Sequence, residues 1–513
     1  MKPALFLLTC GASVLCALPA DQVKTVAGVL EGTVAPASTV RVFKGVPFAA
    51  PPVGDLRWRA PEPVAKWGGV RKADAWGPRC LQGKIFGDMV FREQGMGEDC
   101  LYLNIWTPVK AASKPLPVFV WYHGGGFAAG SGSEPRYDGE ALARLGVVVV
   151  NVNYRLGIFG FFAHPELTRE SSHGASGNYG LLDQVEALRW VRANIAGFGG
   201  DPGRVTIGGE SAGSFSVSAL MASPLTKGLI QGAIGESGAF LSGPGGTLEP
   251  KSLKDAEADG AKFAAAIGAP TLAELRAKKA EDLLAELSKG GPRGFGPIID
   301  GWCLPENPAQ VYAAGAQAHV PLLAGWNSSE MGMAVAMNPQ KPTAASFPAL
   351  LATRFKDQAD AALKVYQAGT DEEAQQSAAD LFSDQFIGHG TWKWIEEQVR
   401  TGKAPVYRFQ FDRFLPEASG SNRFGASHAA EIEYVFSTLD SKPAQWQSED
   451  RRTAAATTAY WANFIKNGDP NGPGLARWPE FGKTHQVMHL DASPKAAPEA
   501  HRERHLFLES LKP

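Results

Sequence analysis

The sequence predicts an α/β fold with a large, mostly parallel central sheet. Two continuous apolar runs, residues 118–122 and 147–150, are typical of parallel strands that are covered on both faces. Residues 180–195 follow with an amphipathic helical pattern, and residues 205–207 form another short β-branched run. Because strand and helix patterns alternate along this stretch, we expect an open sheet with helices on both faces.

The N-terminal part of the chain predicts antiparallel strands before the parallel ones. Residues 23–30 and 39–43 alternate apolar and polar side chains as edge strands do, and residues 101–106 alternate like a half-buried strand. Residues 47–78 are rich in Pro and Gly, which predicts an irregular surface loop. The sheet should therefore begin with an antiparallel region.

The C-terminal half predicts more strands, interrupted by helices. Residues 251–287 and 346–398 are rich in Ala, Leu, Lys and Glu, so we expect helical insertions that could cap a site. The remaining elements that the patterns predict are strands at residues 321–326, 406–411 and 487–490, the last of them terminal, and an amphipathic helix at residues 453–467.

Residues 209–213, Gly-Glu-Ser-Ala-Gly, carry the main functional signal. They lie between a predicted strand and a run of small residues, and such a strand-to-helix turn can raise a serine hydroxyl above a sheet. Gly209 and Gly213 flank Ser211 at places where a Cβ would collide across the turn. The pattern can arise by chance in a chain with 58 glycines, but its flanking elements favour a nucleophilic serine.

A nucleophilic serine needs a base and a group that orients the base. Among ten histidines, His428 lies in a glycine-led turn after a predicted strand, which favours it as the base. Its rival, His123, precedes a glycine run and is expected to shape that loop. Glu330 lies just past a buried strand and is the predicted acid, while the rival Asp300 lies in a turn. The order serine, acid, histidine agrees with a known hydrolase arrangement.

Residues 123–127, His-Gly-Gly-Gly-Phe, offer a place for developing negative charge. Three glycines directly after a predicted strand let backbone N–H groups approach a tetrahedral oxyanion closely. The alternative is a plain flexible loop. The nucleophile turn elsewhere in the chain favours an oxyanion hole.

Composition narrows the class of protein. The chain has 513 residues, 44% of them hydrophobic and 20% charged, with a formal net charge of −2. These values are ordinary for a globular protein, and the near-neutral charge argues against nucleic acid as a partner. We found no sequence signal for a cofactor or a metal ion, and we expect neither.

Residues 1–20 predict a secretory signal peptide. Lys2 gives a small positive region, an apolar run too short to span a bilayer follows, and Ala20 is a small residue at the cleavage position. We therefore expect export to the periplasm or the medium, without a stable membrane anchor. Residues 21–513 show no internal repeat or low-complexity linker, so we expect a single domain.

Three cysteines remain after the predicted cleavage. In an oxidising compartment the economical pairing joins Cys80 to Cys100, which leaves Cys303 free and buried. The spacing alone leaves the pairing open.

These motifs, and others nearly from end to end, resemble type B carboxylesterases of the α/β-hydrolase superfamily, a family that includes bacterial para-nitrobenzyl esterases, fungal lipases and cholinesterases. The matching stretches are residues 43–49, 98–104, 123–127, 153–157, 177–184, 198–202, 209–213 and 425–436.

The resemblance implies an α/β-hydrolase fold and a serine esterase activity. It implies Ser211 as the nucleophile, His428 as the general base and acid, and Glu330 as the residue that orients the imidazole. The other residues that it implies are the oxyanion-hole donors Gly125, Gly126 and Ala212 and the disulfide partners Cys80 and Cys100.

The chain departs from relatives in informative places. Met331 follows the acid where the family usually has Gly. The segment between Cys80 and Cys100 lacks the Trp with which cholinesterases bind a quaternary ammonium, so a choline ester is not the expected substrate. Glu210 and Ser427 stand where tannase-type esterases have cysteines.

The expected function is hydrolysis of small carboxylic esters through an acyl-enzyme. A lipase acting on long-chain esters and an amidase are the alternatives with the same triad. A binding module without catalysis is the alternative from a different class. Glu210 is an additional candidate close to the nucleophile, or simply a carboxylate at the start of a helix.

Overall fold

The computed structural model describes residues 21–110, 112–242, 246–288, 295–416 and 424–511. The predicted signal peptide lies outside these residues. The strands are β1 (Gln22–Lys24), β2 (Val29–Glu31), β3 (Thr33–Val34), β4 (Val40–Pro47), β5 (Val70–Lys72), β6 (Arg79–Cys80), β7 (Met96–Gly97), β8 (Tyr102–Pro108), β9 (Leu116–Tyr122), β10 (Val148–Val152), β11 (Gly200–Glu210), β12 (Gly232–Glu236), β13 (Lys251–Ser252), β14 (Ile298–Ile299), β15 (Leu322–Asn327), β16 (Val406–Phe411), β17 (Gln486–Leu490) and β18 (Lys495–Pro498).

The α-helices of the described chain are α1 (Glu140–Arg144), α2 (Gly157–Phe161), α3 (Pro165–Glu170), α4 (Tyr179–Asn194), α5 (Ala212–Ala222), α6 (Leu253–Ala266), α7 (Leu272–Ala277), α8 (Ala280–Ser288), α9 (Pro308–Ala313), α10 (Gly332–Met337), α11 (Phe347–Phe355), α12 (Ala359–Val365), α13 (Asp371–Ser383), α14 (His389–Thr401), α15 (Ile432–Val435), α16 (Ser448–Asn467), α17 (Phe481–Thr484) and α18 (Arg502–Ser510). Within these residues no helix combines the length and the hydropathy needed to cross a bilayer.

The central sheet has eleven strands in the order β18-β17-β16-β15-β12-β11-β9-β10-β8-β4-β3. The strands from β17 to β10 in this order pair in parallel. The strands β8, β4 and β3 add antiparallel pairs at one side, and β18 adds another at the opposite edge. The predicted fold class, a mostly parallel sheet with antiparallel N-terminal strands, is confirmed.

Side chains of the central strands alternate between two buried clusters. Val118 and Val120 pack in the cluster that contains residues of α4 and α5, whereas Phe119 and Trp121 pack in the cluster that contains residues of α16. All four side chains are fully buried. Helices therefore cover both faces, which explains why these strands read as continuous apolar runs.

Several predicted elements differ in detail. Residues 23–30 do not form one edge strand of the main sheet: β1 and β2 form a hairpin, because the Thr25 hydroxyl accepts hydrogen bonds from the backbone of Ala27 and Gly28 and turns the chain. The stretch predicted to be irregular contains β5, which pairs with β2 in a separate three-stranded sheet. The strand predicted to be terminal is followed by β18 and α18.

The two predicted helical insertions are confirmed as helices. The first contains α6, α7 and α8, and the second contains α11, α12, α13 and α14. A single π-helical turn, Asp384–Gly388, joins α13 to α14. Such turns are rare in proteins, but those that do occur are often found at functional sites.

The parallel strands bring distant segments to one edge of the sheet. Strands β9, β11 and β15 end at Tyr122, Glu210 and Asn327. The glycine loop, residues 123–127, follows β9, the serine turn at Ser211 follows β11, and the predicted acid Glu330 comes shortly after β15. The segment with His428 follows the next parallel strand, β16. Since parallel strands share their carboxyl edge, the fold itself gathers these segments.

Candidate active site

The turn between β11 and α5 holds Ser211 in a strained backbone conformation. Ser211 has φ of 53° and ψ of −122°, and its N–H donates to the carbonyl of Glu236 on β12 at 2.9 Å. A non-glycine residue in such a region costs about 1–3 kcal/mol, which the surrounding structure must offset. The turn places the hydroxyl above the sheet, at the start of α5.

Two glycines permit this turn to pack tightly. A Cβ on Gly209 would lie 2.4 Å from the carbonyl carbon of Gly213 and 2.7 Å from the carbonyl oxygen of Tyr122. A Cβ on Gly213 would lie 2.0 Å from that same Tyr122 oxygen. Both contacts are with backbone, which cannot rotate away. The turn therefore lies directly against the end of β9, where the glycine loop begins.

The structure brings Ser211, His428 and Glu330 into one hydrogen-bonded chain. His428 Nε2 lies 3.0 Å from Ser211 Oγ, and His428 Nδ1 lies 2.6 Å from Glu330 Oε2. Glu330 is buried, and the imidazole is partly exposed at 27% of its side-chain area. A hydroxyl, an imidazole and a carboxylate in this order are the groups that a serine nucleophile, its base and an orienting residue would require.

Two groups that the sequence analysis missed hold Glu330 in place. The Ser237 hydroxyl and the Asn327 N–H both donate to Glu330 Oε1 at 2.7 Å. Asn327 ends β15 and Ser237 follows β12, so their position after parallel strands was the available signal. Because one carboxylate oxygen is occupied by these donors, the other is directed at the imidazole.

A second carboxylate lies close to the imidazole. Glu210 Oε1 is 3.3 Å from His428 Nε2, and Glu210 is buried. Burial lowers the pKa of His428, but the negative charges of Glu210 and Glu330 outweigh it and raise that pKa above its ordinary value. The burial of Glu210 itself raises the pKa of its carboxyl to about 7. The imidazolium form of His428 is therefore stabilised from two sides.

A third buried carboxylate lies behind the site. Asn327 Nδ2 donates to Glu431 Oε2 at 2.6 Å and to the Ser427 carbonyl at 2.8 Å. Burial, followed by the charge of Glu210, raises the pKa of Glu431 to about 8. The Asn327 side chain thus ties the histidine segment to the end of β15.

The glycine loop faces the serine turn across a short gap. A Cβ on Gly124 would lie 2.6 Å from Glu210 Oε2 and 3.1 Å from Ser211 Cβ. Gly125 and Gly126 have φ of 100° and 63°, values that favour glycine. Ala212 is the first residue of α5, so its N–H has no partner within the helix. The three predicted oxyanion donors thus belong to segments that converge beside the hydroxyl.

His123 and Asp300, the rival candidates for the base and the acid, occupy positions where they stabilise local structure. His123 is buried, its ring stacks on Tyr154 at 4.4 Å, and burial lowers its pKa to about 4. Its Nδ1 lies 2.9 Å from the Gly124 carbonyl, so it shapes the glycine loop. Asp300 accepts hydrogen bonds from the backbone N–H groups of Trp302 and Leu304, as a turn residue does.

Phe386 is a further neighbour of the site that the sequence analysis did not identify. It lies in the π-helical turn, and its ring centroid is 5.2 Å from that of His428 in an edge-on arrangement. The second helical insertion therefore reaches the histidine side of the site.

Cys80 and Cys100 form a disulfide, and Cys303 is free and buried. In the described chain, Glu396, His485 and Glu499 lie close enough together to share a cation. Arg502 pairs with both of these carboxylates at 2.7 Å, and Arg408 also pairs with Glu499, so two guanidinium groups balance the two carboxylates. This group does not favour a metal ion.

Comparison with known proteins gives a consistent result. The model of the carboxylesterase family matches residues 19–508. The chain is 38% identical over 477 residues to a fumonisin B1 esterase of Sphingopyxis macrogoltabida, covering 90% of this chain and 85% of the relative. It is 36% identical to a medium-chain fatty acyl-CoA hydrolase precursor of Anas platyrhynchos, with 90% and 86% covered. A solved PNB esterase structure is similar with a TM-score of 0.82 and 34% identity, covering 96% of this chain and 99% of that one.

The close packing of the serine turn leads to a stability prediction. Gly213→Ala should lower the free energy of unfolding by about 1–3 kcal/mol, because the new methyl group meets the Tyr122 carbonyl. The exposed Gly68 has no heavy atom within 4 Å of an added Cβ, so Gly68→Ala is the matched control. Urea unfolding followed by tryptophan fluorescence measures both variants. Equal unfolding midpoints would contradict the packing described for the turn.

Proposed function

The chain belongs to the carboxylesterase family and is a carboxylic ester hydrolase, and from this premise we propose that it acts through a triad of Ser211, His428 and Glu330. The observation that carries the proposal is the continuous hydrogen-bonded chain from Ser211 Oγ through both ring nitrogens of His428 to Glu330. Relatives at this level of identity have names that refer to different substrates, fumonisin B1 and fatty acyl-CoA, so the substrate must be argued from the site itself.

The proposed reaction proceeds through an acyl-enzyme. His428 Nε2 removes the proton of Ser211 as its Oγ attacks the ester carbonyl, and then delivers that proton to the departing alcohol. Water, deprotonated by the same nitrogen, attacks the acyl-serine, and the acid and free serine are released. Glu330 holds the imidazole in the tautomer with a proton on Nδ1 and stabilises the imidazolium.

The proposed oxyanion hole consists of the N–H groups of Gly125, Gly126 and Ala212. The negative charge that develops on the carbonyl oxygen needs fixed donors, and each such donor is worth about 10²–10³ in rate. The N-terminal end of α5 adds the positive end of its dipole at the same place. The left-handed conformations of the two glycines support this role.

The contacts of the disulfide loop beside the glycine loop support dissolved esters, rather than emulsified ones, as substrates. The disulfide loop, residues 80–100, is tied to the segment after the glycine loop. Gln82 exchanges two hydrogen bonds of 2.8 Å with the backbone of Gly130, and Arg92 pairs with Asp138 at 2.6 Å.

Other contacts also join the disulfide loop to the segment after the glycine loop. Asp88 pairs with Arg136 at 3.2 Å, and the Ser133 hydroxyl donates to Glu93. A Cβ on Gly125 would lie 2.9 Å from the end of the Met89 side chain, which places this loop beside the proposed oxyanion hole. We interpret the disulfide loop as a fixed wall, which does not need a lipid surface to uncover the site.

We also propose export and a single catalytic domain. A disulfide between Cys80 and Cys100 is compatible with an oxidising compartment, and the predicted signal peptide of residues 1–20 would direct the chain to one. The eleven-stranded sheet takes strands from both ends of the described chain, from β3 to β18, which supports treating residues 21–513 as one domain. N-terminal sequencing of the exported protein tests the cleavage site, and a mature chain that retains residues 1–20 would contradict it.

The central test of the proposed function is removal of the nucleophile. Ser211→Ala should reduce hydrolysis of 4-nitrophenyl butanoate by about 10⁴–10⁶-fold while the unfolding midpoint stays unchanged. The exposed Ser172 provides the matched control, Ser172→Ala, which should keep full activity. Undiminished activity of Ser211→Ala, or failure of a fluorophosphonate to label Ser211 in the unaltered protein, would contradict the proposal.

The charges around His428 predict a defined pH dependence. Only neutral His428 accepts the serine proton, and the nearby carboxylates raise its pKa, so kcat/KM should fall in acid with a midpoint above pH 6.5. Glu210→Gln removes a negative charge next to Nε2 and should move this midpoint to lower pH. The exposed Glu372 offers the control Glu372→Gln, which should leave the profile unchanged. A rate that is flat from pH 5 to 8, or an upward shift in Glu210→Gln, would overturn the assignment.

The fixed disulfide loop predicts ordinary saturation kinetics. With tributyrin as substrate, the rate should follow the dissolved concentration and show no jump beyond the solubility limit, because no closed loop has to open. Titration of the released acid measures the rate on both sides of that limit. A steep increase on the emulsion would instead identify a lipase.

A further inference from the structure

A cavity of about 500 Å³ lies at the amino ends of the parallel strands, opposite the edge where the proposed active site lies. Its walls include Leu116 and Gly200, which begin the paired strands β9 and β11. Ser211 and the glycine loop instead follow the carboxyl ends of these strands. Of the described residues that line the cavity, none belongs to the proposed triad or oxyanion hole. The cavity is therefore a separate concave site.

Backbone and side-chain contacts hold the walls of this cavity in place. The Leu116 N–H donates to the Gly199 carbonyl at 2.8 Å, and the Thr107 hydroxyl donates to the Phe198 carbonyl at 2.7 Å. The Phe198 ring also packs edge-on against Phe43, with 4.8 Å between the ring centroids. These contacts join β4, β8 and β9 to the turn before β11.

Arg41 on β4 lines the cavity with an incompletely satisfied guanidinium group. Its Nε is buried and has no hydrogen-bond partner among the described residues. Burial lowers the pKa of Arg41, and the charge of Asp21 opposes this shift only in part. A cation that is partly withdrawn from water without a partner costs free energy, and a bound anion would offset that cost.

Within the described chain, the charged side chains that line the cavity are all basic. They are Arg41, Lys110 and Lys114. Arg192 adds a positive charge beside the same wall, because its Nη1 donates to the Pro202 carbonyl at 3.3 Å. The carboxylate of Asp201 accepts the Gly203 N–H at 2.9 Å and is not part of the lining. In a chain with a formal net charge of −2, this local excess of positive charge favours an anion.

The size and the lining of the cavity indicate what the anion is attached to. At roughly 30 Å³ for each heavy atom, the volume holds about sixteen heavy atoms, more than inorganic phosphate has and about as many as a sugar phosphate. The uncharged part of the lining includes the apolar side chains of Val109, Leu116 and Pro202. There is room for an organic group next to the charged one.

We propose that this cavity binds a phosphoryl dianion, and that Arg41 is the residue that pairs with it. A guanidinium group presents parallel N–H donors that match two phosphoryl oxygens, and the lysine side chains add point charges. Both a phosphate monoester and free phosphate carry this group. The site does not depend on the proposed catalytic function, because it lies at the opposite ends of the strands.

Calorimetric titration of the complete enzyme at constant ionic strength tests the proposal with glucose 6-phosphate, inorganic phosphate and glucose. We expect saturable one-to-one binding of glucose 6-phosphate and no binding of glucose, because only the dianion forms charge-assisted hydrogen bonds. Tighter binding of glucose 6-phosphate than of inorganic phosphate would identify a monoester as the ligand, and equal binding would identify free phosphate. Binding of glucose as tight as that of its phosphate, or no saturable binding of either phosphate, would overturn the proposal.

Charge-removing variants test the role of Arg41. Arg41→Gln should weaken the binding of glucose 6-phosphate about tenfold or more, since it removes hydrogen bonds to a charged group. The exposed Arg451 on α16 provides the matched control, Arg451→Gln, which should bind as the unaltered enzyme does. Lys110 and Lys114 are exposed, so their double replacement by Gln guards against a folding defect and should weaken binding severalfold. Unchanged affinity in the folded variants would contradict the site.

Blocking the nucleophile separates this cavity from the proposed active site. Enzyme that has been labelled at Ser211 with a fluorophosphonate should bind glucose 6-phosphate with unchanged affinity. Arg41→Gln should in turn keep full hydrolysis of 4-nitrophenyl butanoate. Loss of phosphate binding after labelling would place the ligand in the active site and would overturn the assignment to this cavity.

Discussion

The site depends on the close approach of the serine turn to the end of β9. Gly213 and Gly209 allow the turn to lie against the Tyr122 carbonyl, and the glycine loop begins one residue later. This single contact brings together a hydroxyl from β11 and backbone donors from β9. The strained conformation of Ser211 persists because the backbone of β9 packs against the turn and the Glu236 carbonyl of β12 accepts the Ser211 N–H.

The charge around His428 follows from the same packing. One imidazole lies near three buried carboxylates, Glu210, Glu330 and Glu431, and only Glu330 bonds to Nδ1. Buried carboxylates without enough positive partners bind protons more readily, which the raised pKa values of Glu210 and Glu431 express. The result favours the imidazolium form of His428, which the proposed attack by Ser211 would produce transiently.

The surroundings of the site are fixed by different means on its two sides. The disulfide loop is held by ion pairs and by hydrogen bonds to the segment that continues from the glycine loop. On the side of the cavity that Gly126 and Ile298 line, α6 packs closely against the Ala163 carbonyl, and Asn178 bonds to the Ile298 backbone. Contacts of this kind around the proposed nucleophile would hold reacting groups in position, and such positioning lowers the entropic part of a reaction barrier.

Local pattern in the sequence determined the parallel strands, the serine turn and the glycine loop, because apolar runs and glycines at tight approaches report local geometry directly. It also singled out His428 and Glu330, since each follows a predicted strand. The tertiary structure alone decided that Ser237 and Asn327 hold Glu330, that Phe386 reaches His428, and that residues 23–30 leave the main sheet as a hairpin. These contacts join residues far apart in the chain, and no local periodicity encodes which distant side chain will fill a given hydrogen-bonding position.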